Sequence, residues 1–127
     1  MVNFEKHISQ NGTKILKFYF HMSKDEQRER LLKRLENPED NWKFSTGDLK
    51  ERERWDDYMK YYEEAINKTS TDFAPWYIVP ADDKGVARYI VAKIIWEELE
   101  KLTDIAEPEL DPKVKANIEE YRTQLKK

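Results

Sequence analysis

A chain of 127 residues with 39% hydrophobic and 39% charged side chains, and a mean hydropathy of -0.98, suits one domain or part of one and is too short for two. Its 23 Lys and Arg against 26 Asp and Glu leave a net charge of -3, which excludes a global pull toward nucleic acid or acidic membrane, so any anion-binding face must be local. The absence of cysteine removes disulfide frameworks, thiolate zinc sites and cysteine nucleophiles, and fits a reducing compartment.

Residues 1 to 10 lack the apolar core of a signal peptide and no apolar run is long enough to cross a bilayer, so the expected setting is cytoplasmic. Four Trp, seven Tyr and five Phe argue for an ordered, packed chain despite the charge. Residues 14 to 22, KILKFYFHM, form an almost continuous apolar run, the pattern of a strand covered on both faces. Trp76-Tyr77-Ile78-Val79, between Pro75 and Pro80, is a second such run. The stretch between them is helical in pattern and longer than a parallel crossover needs, which predicts two buried parallel strands.

Ser23-Lys24-Asp25-Glu26 reads as a capping box opening a helix whose Gln27, Leu31 and Leu35 share a face, and Asn37-Pro38 ends it. Ser45 and Asp48 open the next helix, with Trp55, Tyr58, Met59, Tyr62, Ala65 and Ile66 on one stripe. Asp82 or Asp83 caps a helix over residues 86 to 102 that is apolar around most of its circumference, and is therefore expected to be largely buried. After a connector at residues 107 to 110, Asp111-Pro112 starts a tail helix carrying Val114, Ile118, Tyr121 and Leu125 on a docking face. Two strands covered on both faces make an incomplete sheet. The chain reads as the last part of an α/β domain, with further strands supplied by an amino-terminal portion or by another copy pairing edges.

The three isolated glycines form neither a phosphate-cradling loop nor a dinucleotide fingerprint, and two histidines are too few for an H-E-x-x-H zinc site. No serine lies in a nucleophile elbow, and no catalytic residue is assigned. The helix from Ser23 carries the most informative charges: Arg30, Lys33 and Arg34 share about a quarter of its circumference, with Arg28 near the other edge of the leucine stripe. Such an arc can grip phosphates through guanidinium groups, with Lys43 adding a point charge; equally, it can be a solvated face laced by pairs such as Glu26 with Arg30. His21 ends the first strand, at the edge where α/β sheets bind ligands, although a structural role weighs more. Asp82 and Asp83 lie on the same edge, where they can cap the next helix or orient a bound ribose or metal-bound water. Trp42 beside Phe44 reads as a small satellite core, and Trp55 and Trp76 as core.

The linked motifs ILKFYFHMSKDEQRERLLKRLENPEDNWKFSTGDLKERERWDDY and TSTDFAPWYIVPADDKGVARYIVAKII closely resemble the carboxy-terminal portion of the polyphosphate kinase 2 family. The resemblance implies an α/β, P-loop-kinase-like three-layer sandwich, represented here by two parallel strands, a helical lid over residues 23 to 47 and carboxy-terminal helices. Residues 1 to 106 would belong to that domain and residues 107 to 127 to a connector and tail helix. It further implies phosphoryl transfer between inorganic polyphosphate and nucleoside mono- or diphosphates with magnesium. From charge, hydropathy and strand edges, the expected partners include no nucleic acid and no membrane, and the chain is expected to form a homo-oligomer. Arg30, Arg34 and Lys43 match basic lid positions and Arg28 a more variable one, which would make all four phosphate-binding. Gly47 departs from the alanine common in similar sequences. The family's phosphate loop and metal-holding groups precede the first strand and are not found in these 127 residues, so the chain alone is expected to be inactive. The competing expectation is a non-catalytic module that binds polyanions or self-associates.

Overall fold

The computed structural model describes every residue from Met1 to Lys127. In chain order it contains α1 (Val2–Gln10), β1 (Lys17–His21), α2 (Lys24–Glu36), a 3-10 turn (Pro38–Lys43), α3 (Thr46–Glu53), α4 (Trp55–Thr69), β2 (Trp76–Pro80), α5 (Lys84–Glu100), α6 (Pro112–Ala116) and α7 (Ile118–Leu125). The chain divides into two compact units, Met1–Glu97 and Glu98–Lys127.

β1 and β2 pair in parallel, with Lys17 opposite Trp76, Tyr19 opposite Ile78 and Phe20 opposite Val79, as the two apolar runs predict. Their burial departs from expectation. Val79 is fully enclosed, and Ala74 and Ala81, on either side of β2, are also buried, yet Ile78 is 62% and Phe20 54% exposed. Successive strand residues point to opposite faces, so each face of the sheet keeps an open position. Covering both faces of a parallel strand takes neighbouring strands and layers, and the sheet has two strands.

α1 is an element the sequence reading missed. Its end is a Schellman motif: the Gly12 N–H donates to the Ser9 carbonyl and the Thr13 N–H to the Ile8 carbonyl, both at 3.2 Å. Gly12 takes φ +90°, a conformation favoured by glycine. Buried Glu5 holds the helix to β1 through the Lys17 ammonium at 3.0 Å. That ammonium also donates to the Thr69 carbonyl at 2.7 Å and lies 5.1 Å from the Trp76 ring centre, joining α1, β1, the end of α4 and β2. The missed signal is Asn11-Gly12, a helix stop in sequence.

The single helix expected from Ser45 is two. Arg54, at φ -94° and ψ 22°, leaves the helical region, and its N–H donates to the Glu51 carbonyl three residues back. The Tyr58 hydroxyl bonds the Glu51 carboxylate across that break. The start of α3 is as anticipated: the Ser45 hydroxyl accepts from Gly47 N–H at 3.2 Å, and Asp48 accepts from Ser45 N–H at 3.0 Å. α5 corrects the expectation of a buried helix. Ala87 is its buried residue, whereas Tyr89 is 66% and Trp96 59% exposed, because a helix apolar on all sides needs neighbours on all sides.

In the second unit, Asp111 accepts from Lys113 N–H at 2.8 Å and Pro112 occupies the first turn, as predicted. The tail breaks at Asn117, φ -114° and ψ 15°, giving α6 and α7 in place of one helix.

Candidate functional site

The carboxyl ends of β1 and β2 lie side by side, and from them the chain enters α2 through Met22-Ser23 and α5 through residues 81 to 83. This is the edge at which open α/β sheets bind ligands. The Ser23 hydroxyl accepts from Glu26 N–H at 3.1 Å, as the capping pattern predicts. The reciprocal half of the box is not made. Glu26 instead accepts from Arg30 Nε at 2.9 Å, and the Ser23 N–H donates to Asp82 Oδ1 at 2.7 Å.

Arg30 closes the arrangement from α2, its Nη2 donating to the Ala81 carbonyl at 2.9 Å and the Asp82 carbonyl at 3.1 Å. The amide and hydroxyl of Ser23, followed by the charges of Arg30 and His21, hold the Asp82 carboxyl below its ordinary range. The sequence left open which aspartate caps α5. Asp83 does so, accepting from Val86 N–H at 3.0 Å, and Asp82 reaches across to α2.

The five basic residues singled out in the sequence separate into cavity-lining and surface-paired settings. Arg30 and Arg34 line one cavity of about 290 Å³ with Met22, Gln27, Asp48 and Glu51. Lys33 and Arg30 line another of about 290 Å³ with Asp82 and Lys84. Arg28 pairs with Glu29 at 3.2 Å on an exposed surface, and Lys43 pairs with Asp40 at 2.6 Å. The Lys43 hydrogen bond lowers the Asp40 pKa, aided by Asn37. Arg52 ties α3 to α2, donating to the Lys24 carbonyl at 2.6 Å and to Gln27 Oε1 at 3.1 Å.

Lys84 and Arg88 are cations the sequence reading passed over. With Arg30 they line an otherwise mostly apolar cavity of about 480 Å³ that includes Phe20, Val91 and Ile95. Their spacing of four, directly after a strand, was the available signal. Trp42 corrects the satellite-core reading: it is 80% exposed, with the Lys43 ammonium 5.5 Å from its ring centre. Trp55 and Trp76 are half-buried, and Trp76 Nε1 donates to Thr69 Oγ1 at 2.8 Å. His21 is exposed, its ring 6.1 Å from that of Tyr19, which in turn lies 4.9 Å from Tyr62. Burial, and then Tyr62, raise the Tyr19 pKa.

No group of three or more His, Asp or Glu side chains is arranged to hold a metal ion. Asp82, a carboxylate at that edge, is engaged by Ser23, so these residues do not by themselves fit magnesium. No helix is long and apolar enough to cross a membrane.

A parallel sheet with a basic helix entering from its carboxyl edge is an α/β arrangement of the P-loop-kinase kind, in partial form. The chain belongs to the polyphosphate kinase 2 family, whose pattern its residues 1–107 match. It is 50% identical over 125 residues to an ADP-polyphosphate phosphotransferase of Rhodopseudomonas palustris, covering 98% of this chain and 43% of that protein. It is 52% identical over 99 residues to an AMP/ADP-polyphosphate phosphotransferase of Meiothermus ruber, covering 78% and 37%. The crystal structure of polyphosphate kinase 2 from Arthrobacter aurescens TC1 superposes with a TM-score of 0.82 at 42% identity, covering 92% of this chain and 42% of that one. The chain thus spans less than half the length of these relatives.

Proposed function

We propose that these residues form the lid-bearing, carboxy-terminal portion of a polyphosphate-dependent nucleotide phosphotransferase. The reaction moves phosphoryl groups between inorganic polyphosphate and a nucleoside mono- or diphosphate, in a cytoplasmic setting. The observation that carries this reading is the meeting of Arg30 and Arg34 in one cavity beside the carboxyl edge of a parallel sheet. The names of the related phosphotransferases support the substrate class.

In this reading residues 23 to 47 are the lid of a domain reaching to residue 106, followed by a connector and tail. Arg34 faces the phosphate chain; Arg30, whose Nε and Nη2 are held by Glu26 and by the Ala81 and Asp82 carbonyls, adds its charge beside it, and Arg28 and Lys43 extend the basic surface at its margins. Phosphoryl transfer is mostly positioning and charge stabilisation, which guanidinium groups supply through paired hydrogen bonds to phosphate oxygens. No set of residues in this chain is assigned to magnesium.

Titration of the purified chain with polyphosphate at two salt concentrations tests the lid. Affinity should fall as salt rises, because phosphate contacts release counterions, and Arg30→Ala combined with Arg34→Ala should weaken binding roughly tenfold or more. Unchanged affinity in the double variant would refute the lid assignment. The 127 residues alone should give no turnover in a phosphotransfer assay, since they contain no phosphate-cradling loop, and magnesium-dependent turnover would overturn that statement.

A second reading, a self-associating module, is favoured by the open positions Ile78, Phe20, Tyr89 and Trp96 and by the unpaired strand edges. Sedimentation velocity over a concentration series decides it. Self-association of the 127-residue chain is what this reading requires, and a monomer at all concentrations would remove it.

A further inference from the structure

The two consecutive aspartates after β2 act on different helices. Asp83 caps α5, its own helix, whereas Asp82 accepts from Ser23 N–H at 2.7 Å, 59 residues earlier in the chain. Seven residues beyond Ser23, about two helical turns, Arg30 returns to the same segment and donates to the Ala81 and Asp82 carbonyls. Glu26, between them, holds Arg30 Nε at 2.9 Å and orients the guanidinium. One attachment would leave a helix free to swing, but two attachments two turns apart fix its direction.

We infer that Asp82 is a positioning residue: with Arg30 it latches α2 across the carboxyl edge of the sheet and so sets where Lys33 and Arg34 stand. The latch itself is independent of the proposed function; its consequence for phosphate rests on that reading. The charged groups around Asp82 are His21 at the end of β1, Glu26, Glu29, Arg30 and Lys33 on α2, and Asp83 and Lys84 on its own segment. Because the folded-state pKa of Asp82 is depressed, the latch is fully present above the ordinary carboxylate pKa and is lost as pH falls through the lower, folded value.

The test is amide NMR on the full 127-residue chain, combined with titration by polyphosphate. The wild-type Ser23 amide resonance should move with pH, with a midpoint below the usual aspartate range. Asp82→Ala should abolish that titration and speed hydrogen exchange in the first turns of α2 about tenfold. It should also weaken polyphosphate binding roughly fivefold, through lost preorganisation. Asp82→Asn keeps an oxygen acceptor for Ser23, so it should restore much of the protection and affinity while the titration stays absent. A Ser23 amide indifferent to pH in the wild type would overturn the latch, as would α2 exchange unchanged in a folded Asp82→Ala variant. If that variant does not fold, the wild-type titration and the Asn variant decide. A wild-type chain that shows the titration yet does not bind polyphosphate would uphold the latch and overturn the proposed function.

Discussion

The carboxyl edge of the sheet and the faces of the same sheet are built in opposite ways. At the edge, Ser23, Glu26, Arg30 and Asp82 satisfy one another through direct hydrogen bonds at 2.7 to 3.1 Å. No buried side-chain nitrogen or oxygen lacks a partner. On the faces, apolar side chains lack neighbours: Val79 is enclosed, but its strand neighbour Ile78 and its register partner Phe20 stand open, and so do Tyr89 and Trp96 on α5. Polar matching is complete within these residues because it needs only two connections that meet. Burial is incomplete because it needs layers.

The largest effect expected from breaking this polar order lies at the opposite end of β1. Lys17 and Glu5 have side chains 10% and 9% exposed, and removing one member of such a pair leaves a poorly solvated charge. Lys17→Met should therefore destabilise the chain by about 3 kcal/mol in chemical denaturation. Adding Glu5→Leu should recover most of that loss, because the pair's desolvation penalty disappears with both charges. A double variant as unstable as the single one would show that the other Lys17 contacts, to the Thr69 carbonyl and Trp76, matter more than the ion pair.

A smaller contrast sharpens the burial side. Val79→Ala removes atoms from a fully enclosed position and should cost about 2 kcal/mol. Ile78→Ala, one residue away at an exposed position on the opposite face, should change stability by no more than about 0.5 kcal/mol. Equal costs in urea denaturation would mean that Ile78 is covered in solution, and the concentration dependence of its unfolding midpoint would then identify self-association as the cover.

This contrast also explains what was legible in the sequence. The parallel pair could be read because apolar runs and a long helical crossover are local patterns, as were the Ser45 capping box and the Asp111-Pro112 helix start. Burial of the strands and α5 was over-read, since apolar patterning reports what a segment can bury and not whether neighbours are present. The breaks at Arg54 and Asn117 escaped because nothing in composition separates them from helix interiors. At the candidate site, the grouping of Arg30 with Arg34 followed from helical spacing, whereas the Ser23–Asp82 bond joins residues 59 apart and no local pattern announces it. A capping box looked sufficient there.

The smallest effect separates a local cap from that long-range one. Ser45 and Asp48 bond each other's backbone surroundings within four residues, so Ser45→Ala should cost about 1 kcal/mol. Its increase in hydrogen exchange should be confined to the first turn of α3. Asp82→Ala alters a cap from the far side of the sheet edge, so its increase should fall on α2, a helix remote in sequence. If Ser45→Ala loosened α2 as much as α3, the Arg52 link from α3 to the Lys24 carbonyl would be the stronger support of α2, and the latch would be shared between two edges of the helix.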